Sequence, residues 1–197
     1  REISEGKLVV GLDEVGRGPL AGPLTVGAVV LKQDAAHIEG LNDSKQISES
    51  KRPVIAEAVK EYACAYAVVH IEPQEIDERG ISACLRKAFT QAIAAIEAQG
   101  VYPEVVLLDG NPLHLDSREI NVVHGDARCA SIAAASVLAK VSRDSLMVEY
   151  DAQYPGYDFA SSKGYGSARH RAAIVEKGLT PLHRISFCQG LMQDRLF

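Results

Sequence analysis

Residues 7–32 read KLVVGLDEVGRGPLAGPLTVGAVVLK and carry the clearest structural pattern in the chain. Residues 7–13 and 24–32 are apolar runs of strand length, and a turn rich in glycine and proline separates them. Because so short a connection cannot hold a crossover, the two segments are predicted to be antiparallel neighbours in one sheet. The first of these strands closes on two acids, Asp13 and Glu14.

Further segments alternate between strand and helix patterns. More strands are predicted at 63–72, 104–109 and 119–123, and helices at about 51–62, from the capping Ser82 to Gly100, at 127–150 and near 167–177. This order indicates an α/β domain on a mixed sheet flanked by helices, with a small helical C-terminal region. We predict a core in residues 1–150 and a helical region in residues 151–197 that packs on it.

Composition restricts the class of protein. The 197 residues suffice for one substantial domain, and the apolar fraction of 47% and charged fraction of 24% are ordinary for a globular protein. Neither a bilayer-spanning apolar run nor a signal-peptide pattern is visible. The four cysteines lack zinc or C-x-x-C spacing, which favours reduced thiols and a cytoplasmic location.

Charge is distributed unevenly along the chain. The formal net charge is −5, yet residues 1–126 carry 12 Lys/Arg against 20 Asp/Glu, whereas residues 127–197 carry 9 against 6. An acidic body with a basic C-terminal third suits a carboxylate metal site beside a phosphate-binding surface. Charge alone equally fits a surface whose composition simply varies along the chain.

Acidic residues occupy the ends of three predicted elements. Asp13 and Glu14 close the first strand, Asp109 closes the strand at 104–108, and Asp126 precedes the long helix. Taken singly, Asp109 fits a turn and Asp126 fits a helix N-cap. Together they can converge on a cation. Hard oxygen ligands without a Cys/His set favour Mg²⁺ or Mn²⁺, which support phosphoryl transfer.

The adjacent acids pose a geometric problem. Successive side chains of a strand point to opposite faces, so Asp13 and Glu14 can both point inward only if the strand bends. Gly16 and Gly18 could supply the bend, or Glu14 could contribute through its backbone.

Two glycine-flanked segments could contact nucleic acid. Glycines let the backbone approach a ligand closely, and Arg17 between Gly16 and Gly18 could bind a phosphate, although a turn with a solvated arginine fits equally well. The segment at 163–166 offers a cation and a stacking ring, Tyr165, for which a packed surface tyrosine is the alternative.

Several segments resemble the signatures of ribonuclease HII. They are LDEVGRGPLAGPLTVGAVVL (12–31), LNDSKQIS (41–48), LLDGN (107–111), HGDARCASIAAASVLAKVSRD (124–144), KGYGSARH (163–170) and PLHRISF (181–187). They follow the family order across nearly the whole chain. The resemblance implies a ribonuclease-H-like fold in which Asp13, Glu14, Asp109 and Asp126 form the catalytic metal site.

The resemblance also implies how substrate is bound. It assigns the reading of a ribonucleotide–DNA junction to Gly16, Arg17, Gly18 and Tyr165, and phosphate contacts to Lys45, Lys140, Arg143, Lys163 and Arg184. Lys140 and Arg143 lie three residues apart, so they are predicted to share a helix face.

The function implied is that of a monomeric endoribonuclease. It would hydrolyse the RNA strand of RNA–DNA hybrids and cut 5′ of single ribonucleotides in duplex DNA, leaving 5′-phosphate and 3′-hydroxyl ends. The alternatives are a ribonuclease HIII, whose extra N-terminal domain would not fit here, a structure-specific DNA nuclease, and an inactive binding module. The last is disfavoured because phosphates repel four acids without metals. The ending QGLMQDRLF lacks the paired aromatics of a sliding-clamp-binding tail and is predicted to be an apolar anchor.

Overall fold

The computed structural model describes residues 6–32 and 38–193, with side chains as far as residue 191. Within these residues the strands are β1 (Val9–Val15), β2 (Leu24–Leu31), β3 (Ala63–Ile71), β4 (Val105–Asp109) and β5 (Glu119–Val122). The helices are α1 (Arg52–Tyr62), α2 (Pro73–Arg79), α3 (Ile81–Glu97), α4 (Ala130–Gln153), α5 (Phe159–Ser162), α6 (Ala168–Lys177) and α7 (Ile185–Gln193), with a 3-10 turn at Gly125–Ala127.

The chain forms two compact units. The first consists of the residues up to Val15 together with Thr25–Val69 and Arg86–Val141, and the second of Gly16–Leu24, His70–Leu85 and the residues from Ser142 onward. The units are interleaved along the chain, so the boundary predicted at residue 150 does not coincide with a boundary between them. No helix within the described residues is long and apolar enough to cross a membrane.

A mixed sheet forms the centre of the first unit. Its strand order is β3-β2-β1-β4-β5. The predicted antiparallel pairing of the first two strands is confirmed, and β1 runs parallel to β4, which runs parallel to β5. Because the carboxyl ends of parallel neighbours lie at one edge, the register that pairs Leu12 with Leu108 also brings Asp13 and Asp109 to the same edge.

Helix α4 packs directly on two strands of the first unit. A Cβ atom on Gly11 of β1 would overlap the backbone at Ser131, and one on Gly27 of β2 would overlap the carbonyl of Ala135. Side chains at these two positions would hold the helix away from the sheet. The helix starts at Ala130, three residues later than predicted, because the preceding residues form the 3-10 turn.

Two helical predictions need correction. Helix α1 lies where predicted, with Pro53 in its first turn. Ser82, however, lies inside α3 and does not cap it, because the helix already begins at Ile81 after Gly80. Helix α2 was not predicted, since its seven residues bury only Pro73 and Ile76 and show too little apolar periodicity.

The second unit has its own core, built from aromatic rings and two histidines. Tyr157 and Phe159 stack with their centroids 5.5 Å apart, and His170 and His183 pack against them. Both histidines are almost completely buried. Helix α6, which carries His170, lies within the predicted range of 167–177. The Ser167 side chain caps its start, and Gly178 follows its last residue.

We predict that these histidines make the protein sensitive to acid. Burial lowers the pKa of His183 to about 4 and also lowers that of His170. Unfolded histidines titrate near pH ~6.5, so the unfolded chain takes up protons that the folded protein rejects. The stability conferred by the neutral rings is therefore complete above that pH and is lost as the pH falls towards 4. We expect a loss of about 1–2 kcal/mol between neutral pH and about pH 5.

Urea unfolding of the wild type and of His183→Gln at the two pH values measures this loss. The glutamine cannot take up the proton, so the variant should lose less stability on acidification than the wild type. Equal losses in the two proteins would show that His183 does not resist protonation.

Candidate active site

Each of the four predicted acids interacts electrostatically with at least one of the others. Asp13 stands near the end of β1 and is buried, Asp109 ends the neighbouring β4, and Asp126 is buried in the 3-10 turn before α4. Burial, together with the charges of Glu14 and Asp109, raises the pKa of Asp13 to about 7. Burial and the charges of Asp109 and Asp43 likewise raise the pKa of Asp126.

The two strand-end carboxylates are held by backbone donors. The Gly125 amide donates to Asp109 Oδ1 at 2.7 Å, which ties the end of β4 to the turn that carries Asp126. The Glu14 amide donates to Asp13 Oδ1 at 2.8 Å. The acids are thus fixed by the local backbone before any ion is bound.

A buried pair of hydroxyls supports Asp13 from α4. Ser136 makes a side-chain hydrogen bond to Asp13, and the Ser44 and Ser136 Oγ atoms lie 2.8 Å apart. When Asp13 is ionised it can only accept hydrogen bonds, so Ser136 then donates its proton to Asp13 and Ser44 donates to Ser136. All three residues are buried. The loop that precedes Lys45 is in this way connected to Asp13.

Lys45 lies beside these acids. Its Nζ is 3.8 Å from Asp126 Oδ2, while its side chain remains 80% exposed. Partial burial works to lower the pKa of Lys45, but the charges of Asp43, Asp126 and Asp13 outweigh burial and raise it. A cation is therefore attracted to this point, and the ammonium group is accessible to a phosphate.

Glu14 is placed differently from Asp13. The pairing of β1 with β2 continues regularly through Val15, with Asp13 opposite Gly27 and Glu14 opposite Val26. The predicted bend between the two acids is thus absent from this ladder, and their side chains leave the strand on opposite faces. The backbone contribution of Glu14 stays a prediction.

The donor set fits a hard divalent cation. Burial and mutual repulsion make it unfavourable for neighbouring carboxylates to be ionised at the same time. A bound cation stabilises their ionised form. In the described part of the chain, no three Asp, Glu, His or Cys side chains are arranged to hold an ion as they stand.

In the second unit, two buried arginines organise the Gly-Arg-Gly turn. Arg184 donates to the carbonyl oxygens of Gly16 at 2.7 Å, Arg17 at 3.0 Å and Gly22 at 2.8 Å. Arg143 donates to the carbonyl oxygens of Pro23, Ala21 and Lys163. Both guanidinium groups are fully buried. The prediction that Arg143 and Arg184 contact phosphate directly is therefore wrong, because their donors are used by backbone carbonyls.

The same contacts bring two predicted substrate segments together. The amides of Leu20 and Ala21 donate to the Gly164 carbonyl, next to Tyr165, whose side chain is 46% exposed. Lys163 is half-buried, with its Nζ 2.5 Å from the Ala160 carbonyl. In the first unit, Lys140 is half-buried on α4, while Arg143 of the second unit is fully buried, so the two residues differ in exposure despite their helical spacing.

Comparison with known proteins decides the family. The family model for Ribonuclease HII matches residues 10–190. Ribonuclease HII of Ruminiclostridium cellulolyticum is 44% identical over 193 residues, which cover 97% of this chain and 74% of that protein. The chain belongs to the ribonuclease HII family. It is accordingly an endonuclease of the ribonuclease H type.

Other relatives agree. Ribonuclease HII of Listeria monocytogenes serotype 4b is 45% identical over 181 residues, covering 92% of this chain and 68% of that protein. The crystal structure of ribonuclease H2 from Pyrococcus horikoshii OT3 superposes with a TM-score of 0.83 at 24% identity, covering 96% of this chain and 99% of that one. The predicted family and the ribonuclease-H-like fold are both confirmed.

Only weak signals in the sequence point to the residues that support the acids. Ser136 stands in an almost wholly apolar, alanine-rich part of α4, where a hydroxyl needs a buried partner. Arg143 likewise occupies a buried position on a helix, where a charge needs acceptors. Neither signal identifies the partner, because each partner lies in a distant segment of the chain.

We predict that Ser136→Ala impairs catalysis by leaving Asp13 poorly oriented. Loss of a residue that orients a metal ligand typically costs about 10–100-fold in activity or metal affinity. The same change leaves the buried Ser44 hydroxyl without its acceptor, at a cost of about 1–3 kcal/mol in stability. Steady-state cleavage over a Mn²⁺ titration and urea unfolding measure the two effects.

The double variant Ser44→Ala/Ser136→Ala separates the effect on activity from the effect on stability. It removes the unsatisfied hydroxyl, so stability should recover relative to Ser136→Ala while activity stays low. Wild-type turnover in Ser136→Ala, at every metal concentration, would remove Ser136 from the support of Asp13.

Proposed function

We propose that this ribonuclease HII hydrolyses the RNA strand of RNA–DNA hybrids and cuts 5′ of single ribonucleotides embedded in duplex DNA, leaving 5′-phosphate and 3′-hydroxyl ends. The observation that carries the proposal is the placement of Asp109, whose charge acts on both Asp13 and Asp126, with Lys45 3.8 Å from Asp126. Acids gathered in this way beside an accessible cation suit phosphodiester hydrolysis assisted by metal ions.

The metal would be a divalent ion, Mn²⁺ or Mg²⁺, held by Asp13, Glu14, Asp109 and Asp126. A structural neighbour, Bst-RNase HIII, with a TM-score of 0.75 and 18% identity, is described as a complex with Mn²⁺. When bound, such ions supply an activated water and neutralise charge on the leaving oxygen. The chain's own contribution is to orient the carboxylates through Glu14 N, Gly125 N and Ser136.

Lysine side chains would hold the phosphate backbone. Lys45 is the best placed, because its exposed ammonium group already lies beside the acids. Lys140 and Lys163 are half-buried and would contribute from α4 and from the end of α5. Such contacts position the substrate and carry no sequence information, as expected for an enzyme that acts at any ribonucleotide.

The Gly16–Arg17–Gly18 turn and Tyr165 would recognise the ribonucleotide. The 2′-hydroxyl distinguishes its sugar and can both donate and accept a hydrogen bond. Gly16 is required by the protein itself, since it has φ +86° and a Cβ there would overlap Arg143. Gly18 has open space around its Cβ position. Internal packing does not explain a glycine there, whereas close approach of a substrate does.

The proposed function includes a contact with a sliding clamp. One structural neighbour is described as a complex of PCNA with RNase HII from Archaeoglobus fulgidus, at 23% identity and a TM-score of 0.76. The ending QGLMQDRLF would be the site of such a contact. Its last four residues lie outside the described residues, and α7 reaches Gln193.

We predict that Asp109→Asn abolishes hydrolysis while the fold and hybrid binding are kept, because the lost charge disables ion placement and not the core. The substrates are three matched DNA duplexes, which contain no ribonucleotide, one ribonucleotide or four ribonucleotides in one strand. The wild type should cut the two duplexes that contain ribonucleotides, on the 5′ side of a ribonucleotide, and should leave the all-DNA duplex uncut. End-labelled products and their response to phosphatase identify the cut position and the terminal groups.

Each outcome has a definite meaning. Near-wild-type turnover of Asp109→Asn in Mg²⁺ or Mn²⁺ would refute the metal site. Cleavage of the four-ribonucleotide duplex alone would make the enzyme an ordinary hybrid-cutting ribonuclease H. Cleavage of the all-DNA duplex would indicate a structure-specific DNA nuclease.

A separate prediction concerns the turn. Gly18→Val should fold normally, because its side chain meets open space, yet should cut the single-ribonucleotide duplex at least about tenfold more slowly by blocking close approach. Gly190→Ala is the matched control, since Gly190 of α7 also has open space around it. Its activity should equal that of the wild type, and its melting temperature should equal or exceed the wild-type value, because alanine favours a helix more than glycine does. Full activity of Gly18→Val would remove this turn from substrate recognition.

A further inference from the structure

His170 and His183, the buried histidines of the second unit, have no part in the proposed chemistry. They lie on different elements, His170 on α6 and His183 just before α7. Their Nε2 atoms are 3.1 Å apart. Two buried rings in hydrogen-bond contact must share donors and acceptors in a fixed pattern, which the surrounding atoms determine.

The pattern can be followed from one end. The Thr180 amide donates to His183 Nδ1 at 2.9 Å, so this nitrogen is an acceptor and the ring proton of His183 is on Nε2. His183 Nε2–H therefore donates to His170 Nε2, and the proton of His170 is on Nδ1. His170 Nδ1 lies 2.8 Å from the Tyr165 carbonyl oxygen and donates to it. A backbone amide thus sets both tautomers and directs a donor at Tyr165.

This donor acts on the C-terminal side of a segment whose N-terminal side is held separately, because the Tyr165 amide donates to the Ser162 carbonyl and the Leu20 and Ala21 amides donate to the Gly164 carbonyl. Tyr165 stands between Gly164 and Gly166, and its ring is partly exposed. Its carbonyl also accepts from the Ser167 amide at 2.8 Å, and the Ser167 side chain in turn accepts from the His170 amide at 3.1 Å. On its C-terminal side, the Tyr165 backbone from which the ring extends is therefore held by the start of α6.

We propose that His183 and His170 are positioning residues that hold the Tyr165 backbone, and thereby the Tyr165 ring, in the orientation that reads the ribonucleotide junction. The inference rests on the role assigned to Tyr165 in the proposed function. Neither histidine touches the substrate. Each acts through the next hydrogen bond in the series from Thr180 to Tyr165.

The surroundings keep this series intact. Phe159 packs edge-on against His170, and Tyr157 packs against His183. Burial lowers the pKa of both rings, which keeps them neutral near neutral pH. The charged groups nearby are Asp158, which raises the pKa of His170 and pairs with Arg169, and Lys177 above the Tyr157 ring. A proton on either ring would place two donors against each other and break the series.

The test compares two substitutions at one position. His170→Leu removes the donor to the Tyr165 carbonyl, whereas His170→Asn keeps an N–H near the place of Nδ1. On a duplex with one ribonucleotide, His170→Leu should lower kcat at least about tenfold with a smaller change in KM. The reason is that the duplex still binds, but its scissile phosphate is held in the wrong position. His170→Asn should restore most of the loss. His183→Gln, which keeps an N–H near Nε2, should also be mild.

A double-mutant cycle with Tyr165→Ala distinguishes positioning from mere stability. If His170 acts through the Tyr165 ring, adding His170→Leu to Tyr165→Ala should leave kcat unchanged, while the losses in melting temperature should add. Multiplying losses of kcat would overturn the proposal, as would wild-type kcat in His170→Leu. If the leucine variant does not fold, a large loss of kcat in a folded His170→Asn or His183→Gln overturns it equally.

Failure of the proposed function would look different. A wild type that does not cut the single-ribonucleotide duplex, or a Tyr165→Ala variant with full activity there, removes the role of Tyr165 itself. If the activity of Tyr165→Ala on this duplex is reduced while that of His170→Leu is unaffected, only the positioning role of the histidines is overturned.

Discussion

The close approach of α4 to β1 and β2 is the constraint on which the first unit depends. Gly11 and Gly27 leave no side chain between the helix backbone and the two strands. Ser136, the residue after Ala135 on this helix, is thereby brought to hydrogen-bond distance of Asp13. A separation larger by the width of one methyl group would remove that hydrogen bond. The hydrogen bond that supports Asp13 thus depends on the packing of the helix backbone against the sheet.

The second unit depends on a different interaction, the satisfaction of buried guanidinium groups by carbonyl oxygens. A buried charge is costly unless it is surrounded by acceptors, and Arg143 and Arg184 each have several. A carboxylate partner would neutralise the charge but would not hold the turn, because the acceptors here are backbone carbonyls of the turn itself. The cost of burying each charge is offset only when the turn adopts this one conformation. The arginines therefore specify the backbone shape that Arg17 and Gly18 present.

Much of the fold could be predicted from sequence, because continuous apolar runs in strands and clear apolar periodicity in helices indicate which residues are buried. The antiparallel pair, α1 and α6 were predicted for this reason. Asp13 and Asp109 could be placed at one edge because parallel pairing dictates it. What could not be predicted depends on distant segments. The burial of Arg143, the hydroxyl of Ser44 and the direction of Glu14 follow from tertiary packing and regular strand pairing, which local patterns do not encode.

The distance along the chain between Gly16 and its anchor has a consequence during synthesis. The two residues are 168 positions apart, so the turn leaves the ribosome long before Arg184 does. At about 5–20 residues per second, the turn waits roughly 8–34 s for that arginine. The second unit cannot be completed during this interval, although its first segment is already exposed. A nascent chain truncated before α7 would therefore contain all four acids but lack the arginine that holds the turn. Chaperones and proteases would recognise it as incompletely folded.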